Sequence, residues 1–153
     1  MPRYWLMKTE PDVYSIDDLK RDGVTSWTGV RNYQARNFMR DDMKVGDRVL
    51  FYHSNAEPPG IAGIAEVCRE AHPDTSALDP NGPYYDAKSS VNNPIWMMVD
   101  VRFVRKFKRL LCLNELKAEN KLDGMLVSKR GMRLSVQPVA PAHFKRIEQM
   151  ADS

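Results

Sequence analysis

Residues 26–39 read Ser-Trp-Thr-Gly-Val-Arg-Asn-Tyr-Gln-Ala-Arg-Asn-Phe-Met, rings and donors with little aliphatic bulk. The Trp27 ring can stack on a planar heterocycle, and Gly29 lets backbone come close to a ligand. Val30, Arg31, Asn32 and Tyr33 follow at the expected start of a helix. The first N–H groups of a helix lack internal partners, and Arg31 and Asn32 add side-chain donors. Such a set suits a planar base held by stacking and read on its edge. Tyr33 fits either the site or the packing behind it. The helical spacing of Phe38 places it in the core.

Three other groups have chemical potential. In "FYHSNAEPPG", 51–60, a strand ends in Tyr52, His53, Ser54 and Asn55 before a Pro-Pro-Gly turn. His53 and Ser54 would make a base and a nucleophile, but neighbours on a strand point to opposite faces and no acid is placed to orient His53. A polar pocket rim is the better reading. In "MKTEP", Lys8 and Glu10 share one side of a first strand. A Glu10 carboxylate at a pocket mouth could accept from the exocyclic amine of cytosine or adenine. In "RFVRKFKR", 102–109, Arg102, Arg105, Lys106, Lys108 and Arg109 alternate with Phe103 and Phe107. That run is read as a phosphate-contacting face, against the alternative of a strand edge kept soluble by charge.

These groups must be positioned by a framework. "YWLMKT" (4–9) reads as a strand. "SIDDLKRDG" (15–23) reads as a helix with a Ser15 capping box and a Gly23 stop. A second helix is predicted over 31–43, then strands over 48–54 and 60–71. The glycines of the latter signal a close backbone approach. Residues 72–94 form a long loop, and long loops in compact domains tend to be functional. A strand over 95–107, a helix over 112–122, a strand over 133–139 and a helix over 140–150 complete the pattern. About five strands and four irregularly alternating helices predict an α+β fold. A curved sheet closing into a barrel, with helices over its ends, fits best.

The chain has 153 residues, 42% of them hydrophobic, which suits one domain with one core. The net charge of +3, from 23 basic and 20 acidic residues, permits nucleic-acid contact without requiring it. Cys68 and Cys112 lack metal-site spacing and are expected as two buried free thiols in a reducing cytosol. No G-x-G-x-x-G, P-loop, signal peptide or membrane-length apolar run is present. No cofactor or metal is expected, and a cytoplasmic location is.

The ordered motifs "YWLMKTEPDVYSIDDL", "WTGVRNYQARNFMR", "GDRVLFYHSN", "PPGIAGIAEV", "YYDAKS", "PIWMMVDV" and "RLSVQPV" cover nearly the whole chain. In them the sequence resembles the EVE domain family of the PUA-like superfamily, in its single-domain form. The resemblance implies a PUA-like pseudo-barrel of five to six strands with flanking helices over 1–153. It also implies a pocket for a modified base in DNA or RNA, most often a modified cytosine. The YTH readers of methylated adenine share the architecture, and their base-walling Trp corresponds to Trp27. Their polar position after the first strand corresponds to Glu10, and the end of the "LFYHS" strand lines the cage opposite. The sequence departs from the family's pattern at Ala87 and Cys112, where Pro is usual, and altered loop stiffness is expected there.

The expected function is a non-enzymatic reader, with Trp27, Gly29, Val30, Arg31, Asn32, Tyr33, Lys8, Glu10, His53, Ser54 and Asn55 around the base. Trp27→Ala is expected to keep the fold and lose the modified oligonucleotide. The alternatives are a hydrolase using His53 as base, and a small-molecule module binding a nucleotide-like ligand.

Overall fold

The computed structural model describes residues 2–153. Six strands form one sheet: β1 (Tyr4–Thr9), β2 (Val24–Ser26), β3 (Arg48–His53), β4 (Gly60–Pro73), β5 (Met97–Cys112) and β6 (Val136–Val139). Their order is β2-β5-β4-β3-β1-β6. Only β1 and β3 run parallel; the other neighbours are antiparallel. The four α-helices are α1 (Ile16–Asp22), α2 (Tyr33–Asn37), α3 (Leu113–Ala118) and α4 (Pro141–Ala151).

The sheet does not close by hydrogen bonds as expected, because β2 and β6 remain its edges. It curls instead. Register shifts interrupt β4 against both neighbours, and such bulges bend a strand and increase its twist. Gly60 and Gly63 are the close-approach points foreseen in this strand. A Cβ on either would lie 2.4 Å from a carbonyl oxygen of β5, that of Leu111 or Arg105. What they approach is the sheet itself.

Alternation along β1 and β3 sends residues to two apolar clusters. Trp5, Met7, Val49 and Phe51 pack on one side with Ile16 and Leu19 of α1, Ala35 of α2, Met39 and Met43. Leu6, Leu50 and Tyr52 pack on the other with Leu116, Phe144, Ile147 and Met150 of α3 and α4.

Several boundaries differ from the sequence reading. The helix predicted over 31–43 is α2 followed by a π-helical turn, Phe38–Asp42, closed by Met43 N–H on the Phe38 carbonyl. The extra residue brings Met39 and Met43 into the core, both buried. The predicted 112–122 helix stops at Ala118, and a 3-10 turn follows at Asn120–Leu122. The strand predicted over 95–107 runs on to Cys112. The short β2 was not foreseen. Cys68 and Cys112 are half-buried and free rather than fully buried. Among the described residues no helix is long and apolar enough to cross a membrane.

Candidate functional site

A cleft of about 890 Å³ opens where β1 and β3 end, β2 ends and β6 is about to begin. Residues of both sheet edges line it, Thr25 and Ser26 from β2 and Met132 and Ser135 ahead of β6. The curl therefore brings the edges to face each other across the cleft. Ser54 N–H donates to the Thr9 carbonyl at 2.9 Å, which locks the ends of β1 and β3 together at the rim.

Trp27 follows β2 and walls the cleft. Its N–H donates to the Val99 carbonyl at 2.8 Å, and its ring meets Phe51 edge-on at 5.5 Å. Only 7% of the residue is exposed, so it belongs to the core as well as to the cleft. Glu10 lies just beyond β1, and its Oε1 accepts from Asn55 Nδ2 at 2.5 Å. Asn55 adopts φ 48°, the left-handed region that Asn tolerates, and that geometry turns its amide back toward Glu10. The bond fixes one carboxylate oxygen and leaves the other for an incoming donor. Lys8, half-buried at the end of β1, donates from Nζ to the Met132 carbonyl at 3.3 Å. Burial lowers the pKa of its ammonium group.

The long loop supplies the remaining wall through Tyr84. Gly29, at φ +84°, is the residue that admits it. A Cβ there would fall 2.6 Å from the Tyr84 ring. The close approach foreseen at Gly29 is thus by a side chain of the protein. Asp74, 2% exposed, holds this corner. Its Oδ2 accepts from Gly29 N–H at 2.9 Å and from Arg31 Nη1 at 3.0 Å, and its Oδ1 accepts from Ser76. Burial raises its pKa, but the bonds from Ser76, Gly29 and Arg31 outweigh it and the net shift is downward.

Arg31 donates twice to the Tyr84 carbonyl, at 3.1 and 2.7 Å. Its guanidinium lies over the rings of Tyr84 and Trp96, 5.6 and 5.3 Å from their centroids. Tyr33 stacks on Trp96 at 4.9 Å, and Arg36 covers Tyr33 at 4.8 Å. Trp96 Nε1 donates to Asp86 at 2.7 Å. This ladder of alternating cations and rings clamps the loop to the segment that carries Trp27.

Of the expected site residues, the cleft gathers Lys8, Glu10, Trp27, Gly29, Val30, Arg31, Ser54 and Asn55. Three lie elsewhere. Asn32 caps α2, its Oδ1 accepting from Ala35 N–H at 2.9 Å, so that helix start is already satisfied. Tyr33 belongs to the ladder. His53 faces α1, where its Nε2 accepts from Ile16 N–H at 3.1 Å. That bond requires Nε2 to be unprotonated. Arg31 reaches the cleft, but its donors are spent on the protein. The strand run is also engaged. Arg102 pairs with Glu66, Arg105 with Asp152 at 2.9 Å, Lys106 with Asp17 at 2.8 Å and Arg109 with Glu115 at 2.6 Å, while Lys108 is exposed. None of the five lines the cleft.

Sequence reasoning missed Tyr84, Thr25, Ser26 and Thr28, together with Tyr14, Met132, Arg133 and Ser135. Two signals point to Tyr84, the polar loop 72–94 and the motif "YYDAKS" that Tyr84 begins, but neither assigns it to the cleft.

The curled, open mixed sheet with flanking helices and a cleft between its edges is an α+β fold of the PUA-like type. The EVE domain model matches residues 3–150, and the chain belongs to the EVE domain family. It is 44% identical to human thymocyte nuclear protein 1, over 92% of this chain and 70% of that protein. A crystal structure of human THYN1 in complex with 5-methylcytosine containing DNA superposes with a TM-score of 0.92 at 42% identity, covering 99% and 98% of the two chains. A protein from Pseudomonas syringae superposes with a TM-score of 0.93 at 47% identity, over 97% of this chain and 99% of the other.

Proposed function

We propose that the cleft holds a modified cytosine turned out of a DNA strand, and that the protein reads this base without altering it. The observation that carries the reading is the pairing of the Trp27 ring with the Asn55-oriented Glu10 carboxylate in one cleft. The 5-methylcytosine DNA bound by human THYN1 supports it. Cytosine presents an N4 amine donor, which suits the unoccupied Glu10 oxygen. Val13 and Met132 offer apolar surface in the same cleft for a substituent at C5. A flipped base is read this way elsewhere, by stacking and by bonds to its edge.

The hydrolase alternative loses its base, because the Nε2 lone pair of His53 is committed to Ile16 N–H and His53 lies outside the cleft. The reading is tested by fluorescence polarisation with oligonucleotides differing at one base, as cytosine or 5-methylcytosine, in DNA and in RNA. DNA carrying the methylated base should bind about tenfold tighter, since both bases can stack on Trp27 and one further methyl against an apolar wall contributes about 1–3 kcal/mol. Glu10→Ala should weaken both DNA oligonucleotides alike, because both bases carry the N4 amine, and His53→Gln should change neither affinity. Equal affinity of the wild-type protein for every oligonucleotide would overturn the proposal, and preference for the RNA set would redirect it to RNA.

A further inference from the structure

We infer that the exposed turn carrying Lys129, Arg130 and Arg133 grips the phosphates on either side of the held base. The inference rests on the base-reading function and names the surface that must accompany it. A base inserted into a cleft remains joined to its sugar, so its two phosphates stay at the rim. Cations at the rim are therefore the ones that meet them.

The turn is built to stand there. Met132 N–H donates to the Lys129 carbonyl at 3.2 Å, and Gly131, third of the four residues, has φ +75°. A positive φ at that position is the mark of a type II turn. Lys129 N–H donates to the Leu126 carbonyl at 3.0 Å, and Lys8 Nζ holds the Met132 carbonyl from inside the cleft. Met132 and Arg133 themselves line the cleft, which fixes the turn on its rim.

Charge pairing selects this turn over the strand run. Arg102, Arg105, Lys106 and Arg109 are engaged by carboxylates. Lys129, Arg130 and Arg133 are all exposed, and no ion pair or side-chain hydrogen bond among the described residues uses them. Unpaired cations can displace the counterions condensed on the DNA phosphates directly, whereas paired ones must first give up a partner. Here the turn takes over the role that sequence alone assigned to β5.

The test compares two variants with equal loss of charge, Lys129→Gln/Arg130→Gln/Arg133→Gln and Arg102→Gln/Lys106→Gln/Lys108→Gln. Each is checked for folding by thermal melting. Binding to 5-methylcytosine DNA and to its unmodified counterpart is then measured across a salt series. The turn variant should lower the slope of log affinity against log salt by about 0.9 for each phosphate it no longer neutralises. It should weaken both oligonucleotides alike, leaving their ratio unchanged. The strand variant should keep the wild-type slope. A turn variant with the wild-type slope, or a strand variant that loses it, overturns the inference. If no oligonucleotide is preferred yet the slope still depends on the turn, the base reading fails and the phosphate surface stands.

Discussion

Gly29 shows how one absent side chain shapes the site. Its positive φ costs an L-residue about 1–2 kcal/mol, and the Tyr84 ring occupies the space a Cβ would need. Gly29→Ala should therefore lower stability by at least about 1 kcal/mol in denaturant unfolding and displace Tyr84 from the cleft wall. Weaker base binding should accompany it, and unchanged unfolding and binding would refute the assignment. Trp27 requires the opposite care. With 7% exposure and an edge-on contact to Phe51, it cannot be removed without opening the core. Truncating a buried Trp costs about 3–5 kcal/mol, so Trp27→Ala confounds folding with binding, contrary to the expectation from sequence. Trp27→Phe retains a ring and separates the two.

Helix α1 is the element most open to a solution test. Ser15 and Asp18 form its capping box, while His53 from β3 accepts from the N–H of Ile16. Burial lowers the pKa of His53, opposed by nearby Asp17 and assisted by Lys106. A depressed folded pKa means the unfolded state takes up the proton first as pH falls. The stability contributed by His53 is thus complete above its unfolded pKa of about 6.5 and is lost as pH drops through the lower folded value. Unfolding free energy should fall between pH 7.5 and 5, and His53→Gln should flatten that part of the profile. An identical profile in the variant would remove His53 as the cause. This element was legible in the sequence because its signals are local: Ser15, Asp18 and Gly23 lie within one short stretch. Trp27 and Glu10 were legible through their motifs. Tyr84, Asp74 and Trp96 were not, because their roles come from a loop folding back across 45 residues of sequence to Gly29. The spent donors of Arg31 and Asn32 were invisible for the same reason, since donor chemistry can be read from a residue type but its occupancy cannot. The paired state of the β5 cations depends on Glu66, Asp152 and Asp17, each remote in the chain.

At the scale of the molecule, the two apolar clusters share the strands β1 and β3, with successive residues assigned to opposite sides. Neither cluster can lose its strands while the other keeps them. Leu50→Ala and Phe51→Leu, neighbours that face opposite clusters, should each lower stability, the former by about 2–5 kcal/mol. Both should leave one cooperative transition that coincides by far-ultraviolet circular dichroism and by tryptophan emission. Separate transitions would show that the two halves of the core melt independently. The same coupling extends from the packed strands to the rim, because the cleft is made of the ends of β1 and β3.

The three indoles also differ in a way that makes the protein its own optical probe. Trp5 Nε1 donates to Asp47 at 2.9 Å and Trp96 Nε1 to Asp86 at 2.7 Å, so both indoles are held by the protein itself, and neither lines the cleft. Trp27 alone of the three lines it. A base laid against that ring quenches one emitter and spares two, so the fraction of light lost has a ceiling set by Trp27. Occupancy can then be followed in unlabelled protein, and Trp27→Phe supplies the blank.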